Sequence, residues 1–122
     1  MEMKKILLAV VMIFAIYLLI QGVRCSLDLR KAKEKLNAYN TREIELSYGK
    51  ITYIDEGQGE VILSVHGIFG GYDQAYENIK NRVEKNRIIA PSRFGYLNSS
   101  VKNDGTPKEQ AEAFNELLDS LE

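Results

Sequence analysis

The most apolar stretch of the chain lies near its start. Lys4 and Lys5 precede fifteen residues, 6–20, with no charge or strong polar group, and Gln21, Gly22 and Val23 extend the run to eighteen before Arg24. At ~1.5 Å per residue a helix of that length covers about 27 Å, the depth of a bilayer core. A helix buried in a soluble domain would show a polar face, and residues 6–20 have none. The pattern predicts a membrane-spanning helix over 1–23. A cleaved signal peptide is the rival reading. The apolar core reaches or exceeds the ~7–15 residues usual for one, and Arg24 and Cys25 separate the small residues Gly22 and Ser26, so an uncleaved signal anchor is favoured. Orientation stays open. Lys4 and Lys5 hold the N-terminus on the cytoplasmic side, whereas Arg24, Arg30, Lys31, Lys33 and Lys35 flank the other end and count equally under the positive-inside rule.

Residues 24–42 form a second segment. Leu29, Ala32, Leu36 and Tyr39 recur at helical spacing among basic residues, which predicts either a basic juxtamembrane helix at the membrane surface or a solvated helical spacer. At Glu43 the period changes to two. Glu43-Ile44-Glu45-Leu46-Ser47-Tyr48 alternates, Gly49-Lys50 reads as a turn, and Ile51-Thr52-Tyr53-Ile54-Asp55 is rich in β-formers, so a hairpin is predicted. A glycine loop over 56–60 leads to Val61-Ile62-Leu63-Ser64-Val65, a nearly continuous apolar run of the kind found in strands covered on both faces. His66-Gly67-Ile68-Phe69-Gly70-Gly71 is a glycine-rich turn. A helix is predicted to start near Asp73, its carboxylate capping the first turn, with Ala75, Tyr76, Ile79 and Val83 buried. Residues 87–91 read as a second apolar strand ended by Pro91. After an irregular stretch, Thr106-Pro107-Lys108-Glu109 carries a capping box with proline at the first helical position. Ala111, Phe114, Leu118 and Leu121 mark that helix's apolar face. The order hairpin, strand, helix, strand, helix predicts a three-layer α/β fold over 43–122 with a parallel strand pair and a right-handed crossover.

Composition removes several function classes. The chain has 122 residues and a formal net charge of −1, so no bulk charge draws it to nucleic acid. One cysteine, Cys25, and one histidine, His66, give neither an internal disulfide nor a metal site. Arg24, standing where a bacterial lipoprotein carries a small residue, argues against lipidation at Cys25. The glycines of 66–71 match neither phosphate-loop pattern. Two uses remain: a sharp turn into a helix, or an oxyanion hole in which a backbone N–H at a strand end faces developing negative charge.

The run 49–57 followed by Val61-Ile62-Leu63-Ser64-Val65-His66-Gly67 resembles the opening of α/β-hydrolases. Arg87-Ile88-Ile89-Ala90-Pro91-Ser92-Arg93-Phe94-Gly95-Tyr96 resembles the next strand of that family and its Arg-x-Gly loop. Residues 106–121 resemble the helix before the nucleophile strand. The resemblance implies a partial α/β-hydrolase sheet, no cofactor, and hydrolysis of an ester, amide or similar bond in the complete enzyme. It implies that the backbone N–H groups at Ile68 and Phe69 form the oxyanion hole, with Phe69 lining an acyl pocket. His66 would hold the loop rather than act as base, with Gly67, Gly70, Gly71, Arg93 and Gly95 supporting the site; a plain surface turn fits Arg93 and Gly95 equally.

The departures concern catalysis. The family's nucleophile sits in Gly-x-Ser-x-Gly, and no glycine of this chain has serine two residues later. The triad is expected beyond Glu122. Ser64 and His66 share a strand face, but nothing orients such a base and Ser64 lies within a strand expected to be buried. In the resembling fold the strand at 61–65 is interior, and its outer neighbour carries the nucleophile. Without that neighbour its edge is open to self-association, and residues 43–122 alone are expected to be poorly soluble or molten. Two readings stand: a truncated membrane-anchored hydrolase that is inactive as this chain, or a non-catalytic single-pass membrane protein for binding or assembly. Expected partners are the bilayer and, for a complete enzyme, a small ester or amide.

Overall fold

The computed structural model describes residues 1–122, which divide into two compact units, Met1–Ala38 and Tyr39–Glu122. The first unit is one uninterrupted helix, α1 (Glu2–Asn37), so the apolar and basic stretches share a single element. None of its residues is buried. It is long and apolar enough to cross a membrane, by length and composition.

The second unit contains β1 (Thr41–Leu46), β2 (Gly49–Glu56), β3 (Val61–Leu63), α2 (Tyr72–Ile79), β4 (Arg87–Pro91) and α3 (Pro107–Asp119). The strands form one sheet in the order β1-β2-β4-β3. β1 and β2 make the expected antiparallel hairpin, β2 pairs antiparallel with β4, and β3 runs parallel to β4 with Ile62 opposite Ile88. The parallel pair joined through α2 is the crossover the apolar runs predicted.

Alternation sorts the sheet faces. Ile51, Tyr53 and Ile89 point to one side and form the main core with Leu46 and with Ala113, Phe114 and Leu117 of α3. On the other side α2 buries Tyr72 and Ala75 against β4 and β2. Asp55, on the α3 side, accepts both nitrogens of a fork from Arg87 (2.8 and 2.9 Å) and a third bond from Arg42 (3.1 Å). Arg87 also reaches the Leu121 carbonyl at 3.4 Å, joining β2, β4 and the end of α3. These bonds to Arg87 hold the Asp55 carboxyl below the usual carboxylate range.

Several elements differ from expectation. The first strand is 41–46 rather than 43–48, and the hairpin turn is Ser47-Tyr48 rather than Gly49-Lys50. Gly49 sits at φ +133° and pairs with Leu46, which closes the turn one pair earlier. Glu116 fixes that turn by accepting from the Ser47 N–H at 2.7 Å and hydroxyl at 2.6 Å. α2 begins at Tyr72 with Gly71 as its N-cap, and Asp73 makes no capping bond; its Oδ1 is buried without a partner. Tyr76, Ile79 and Val83 are half-buried rather than core. In α3 the capping box forms as predicted, but the buried face is Gln110, Ala113, Phe114 and Leu117, while Ala111 is exposed. Ala113 and Leu117 join Phe114 on the core side with Leu118 and Leu121 packed beside them, and Gln110, turned inward, accepts the Phe94 N–H at 2.8 Å while its Nε2 has no partner. The strand at 61–65 shortens to 61–63 and lies at the sheet edge, with Val61 and Val65 46% and 45% exposed. Its apolar run therefore does not mark a strand covered on both sides in this chain.

Candidate functional site

β3 continues as extended chain into the glycine-rich turn. Ser64 ties this continuation down on both sides of its residue. Its N–H donates to Ile89 O at 2.9 Å, and its hydroxyl donates to Ala75 O at 2.7 Å. The hydroxyl is thus engaged by α2 and makes no bond to His66.

His66 is buried, at 4% exposure. Its Nε2 lies 2.9 Å from the Arg93 N–H and must accept that proton. The ring proton therefore sits on Nδ1, which donates to Gly67 O at 2.7 Å. Tyr96 packs edge-on against the ring at 4.8 Å. Burial lowers the His66 pKa below the usual imidazole value; the Gly67 carbonyl opposes this and the Arg93 charge adds to it. The histidine is neutral, fixed in one tautomer, and both nitrogens are occupied.

The turn beyond it is held at three points. The Gly67 N–H donates to Gln74 Oε1 at 3.2 Å, Ile68 O accepts from the Tyr96 hydroxyl at 2.9 Å, and the Tyr72 N–H donates to Ser92 Oγ at 3.1 Å. Gly70 passes so close to Gln74 that an added Cβ would lie 2.6 Å from the Gln74 Cβ. Between these ties the tip is bare. Ile68 and Phe69 are 70% and 97% exposed, and no protein acceptor occupies either main-chain N–H. These donors precede the N-terminus of α2, whose dipole also favours negative charge. Both N–H groups thus sit unbonded on an exposed loop between a strand and a helix.

Arg93 and Gly95 lie in the turn after β4. Gly95 adopts φ +73° and its N–H donates to Ser100 O at 2.9 Å, folding 93–100 back so that Tyr96 reaches the 67–69 loop. His66, Gly67, Gly70, Arg93 and Gly95 thus converge on one corner, with Gly71 capping the adjoining helix. Phe69 is the exception among the expected residues. Its ring is almost fully exposed, with no other segment of these 122 residues folded over it. Sequence reasoning missed Gln74, Tyr96 and Ser92, which tie the turn down. Gln74 stands seven residues from its partner and belongs to no motif; Tyr96, 28 residues from its own, closes the stretch that resembles the Arg-x-Gly loop but was given no role there.

No protein-family model and no curated protein matches the chain. Solved structures do. An α/β-hydrolase fold protein from Nakamurella multipartita is 30% identical over 67% of this chain and 29% of its own, with TM-score 0.60. An esterase from Exiguobacterium antarcticum is 28% identical over 65% of this chain and 31% of its own, with TM-score 0.57. An epoxide hydrolase from an endophytic Streptomyces shares the fold at 20% identity, covering 66% of this chain and 26% of its own, with TM-score 0.57. The chain spans less than a third of the length of each. These likenesses relate the chain to the α/β-hydrolase superfamily.

Proposed function

We propose that this chain supplies the oxyanion-binding corner of a membrane-tethered α/β-hydrolase acting on esters, amides or similar bonds, and that it has no turnover by itself. The observation that carries the reading is the pair of unbonded, exposed N–H groups at Ile68 and Phe69, on a loop that His66, Tyr96 and Gln74 hold in place. Such donors lower the energy of a tetrahedral intermediate by meeting charge that develops on its oxygen. Nucleophile and base are lacking. Ser64 is bonded to α2, and both nitrogens of the one histidine are committed to main-chain groups. α1 supports the tether, because its apolar length suits a single bilayer crossing.

The test uses the full chain in detergent micelles. Titration with methylphosphonate, a tetrahedral anion, is expected to shift the amide resonances of Ile68 and Phe69 more than any others. An unmoved pair removes the assignment. Hydrolysis of a simple aryl ester is expected at the buffer rate; faster turnover, abolished by His66→Ala, would show that the chain is catalytic. A coding sequence downstream that contains a Gly-x-Ser-x-Gly elbow supports a longer enzyme, whereas an unrelated gene there supports the second reading. That second reading, a non-catalytic assembly protein, is favoured by one feature: the open apolar edge of β3.

A further inference from the structure

α1 passes the end of its apolar run without a break, so one helix carries both the stretch 6–23 and the basic stretch 24–37. None of its residues is buried, and Leu29, beyond Arg24, is 66% exposed. The apolar residues of the basic stretch are not scattered. Four of the five, Cys25, Leu29, Ala32 and Leu36, recur at alternating intervals of four and three. Counted back into the apolar run, the same spacing meets Gly22, Leu18, Ala15, Val11 and Leu8. Residues 8–36 thus hold an unbroken heptad seam, with a positions at 8, 15, 22, 29 and 36 and d positions at 11, 18, 25 and 32. Within 6–23 almost any spacing would be apolar. In 24–37, where nine of fourteen residues are polar or charged, the spacing is selective. Gly22 lies on this seam, and a Cβ there would meet nothing within 4 Å. Its own helix has no use for the missing side chain, whereas a small residue lets a second helix approach closely inside a bilayer.

We propose that this seam is covered by the same face of a second copy of the chain, the two α1 helices running parallel as a left-handed coiled coil from the membrane into the basic stretch. The proposal rests on the tether of the function proposed above and not on its chemistry. A bilayer inserts both copies in the same sense, which excludes the antiparallel pairing. Charge selects a like copy. Asp28 stands at a g position and Lys33 at the e position five residues on, the two that meet across a parallel pair. The ion pairs within α1 are Lys5 with Glu2 at 3.3 Å and Arg30 with Glu34 at 3.1 Å, and neither Asp28 nor Lys33 takes part in them. In the dimer, Asp28 of each copy faces the second copy's Lys33, two opposite-charge contacts related by the two-fold axis. The preceding g and e positions, Gln21 and Ser26, are uncharged. Arg24, Arg30, Lys31 and Glu34 fall at b, c and f, away from the seam, and the counterpart of Lys35 lies past the end of α1. Exposed ion pairs add little affinity each; here they fix register and partner, while the apolar seam and confinement in the bilayer drive association.

The experiment uses the full chain in phosphatidylcholine vesicles and reads disulfide formation under mild oxidation. With axes ~8–10 Å apart and Cα atoms ~2.3 Å from each axis, facing positions come within the ~4.4–6.8 Å that a disulfide spans, and f positions lie about 12 Å or more apart. The chain's own Cys25, at d, is expected to give a covalent dimer. On a Cys25→Ser background, Leu29→Cys at a is expected to match that rate and Leu27→Cys at f to react at least tenfold more slowly. Asp28→Lys is expected to slow cross-linking through Cys25 at least threefold, and Asp28→Lys combined with Lys33→Asp to restore it. Both positions are exposed on the helix, so circular dichroism is expected to stay unchanged. Equal rates for Leu27→Cys and Leu29→Cys would mean random collision and overturn the proposal. So would a double charge reversal that fails to restore the rate. A fluorophore attached at Leu29→Cys that brominated lipid quenches, with no cross-link formed there, would assign the face to the bilayer and overturn it as well. A chain that does not float with the vesicles removes the tether and the proposal with it, whereas one that floats and stays monomeric overturns the second copy alone and leaves the tether standing.

Discussion

Replacing His66 with alanine tests the frame of the site directly. The substitution removes the acceptor for the Arg93 N–H, now 2.9 Å from Nε2, and the ring that Tyr96 packs against at 4.8 Å. An N–H left without a partner costs ~1–3 kcal/mol, and an aromatic edge contact contributes ~0.5–1.5 kcal/mol. The expected loss is ~2–4 kcal/mol, a large share of the ~4–12 kcal/mol that a unit of this size commands. Urea unfolding of the full chain in micelles, followed by near-ultraviolet tyrosine dichroism, measures it. Amide exchange adds a local readout: Arg93 is expected to be protected in the parent and to exchange at least tenfold faster in His66→Ala. The pH dependence is fixed in sign. Burial sets the folded pKa of His66 below the ~6.5 of an unfolded histidine, so between those two values the unfolded chain binds the extra proton. The contribution is therefore complete above pH ~6.5 and declines as pH falls toward the folded pKa. His66→Ala is expected to flatten that slope. A loss under ~0.5 kcal/mol with unchanged Arg93 exchange would refute the idea that the histidine holds this corner.

Asp55→Asn is expected to destabilise the second unit by about 2–3 kcal/mol in the same unfolding assay, since it strands the Arg87 fork; the outer Arg42 adds little because its side chain is 53% exposed. Because the carboxyl pKa is lowered by folding, the contribution is present above pH ~3.9 and lost as pH falls through the folded value, and the variant should lose that acid limb. Thr106→Ala removes the α3 cap and is expected to cost ~1 kcal/mol, with faster exchange confined to the first turn. Gly70→Ala pushes Gln74 aside and is expected to free the Gly67 N–H, seen as at least tenfold faster exchange there with Arg93 unchanged.

The sequence disclosed those parts of the fold that local chemistry determines. Apolar runs located β3 and β4, and Thr106 through Glu109 located the start of α3 to the residue. Periodicity describes a strand's faces and not its neighbours, so the unpaired edge expected at 61–65 came from the family resemblance rather than from the apolar run, and β3 does pair with β4 alone. The buried face of α3 was misplaced by one position, because Ala113 and Leu117 continue an apolar stripe with Phe114, Leu118 and Leu121 as well as Ala111 does, and only packing chooses between them. At the site the glycine-rich turn was visible as a motif. Gln74 was not, and the tying role of Tyr96 was not, since a residue that holds a loop from a neighbouring element shows that contact nowhere in its own surroundings.

Tyr39 is the first residue of the second unit. Its hydroxyl donates to Glu77 at 2.8 Å, and its ring meets Tyr72 and Tyr76 edge-on at 6.2 and 6.3 Å. Burial, reinforced by Glu77, pushes its pKa up to about 12, so the phenol keeps its proton. A pull applied through residue 38 therefore does not simply peel β1 from its hairpin. It also loads α2, through the Tyr39 hydroxyl on Glu77 and the ring edges on Tyr72 and Tyr76, and α2 begins directly behind the loop that bears Ile68 and Phe69. Part of such a load would therefore reach the element behind that loop as well as the sheet.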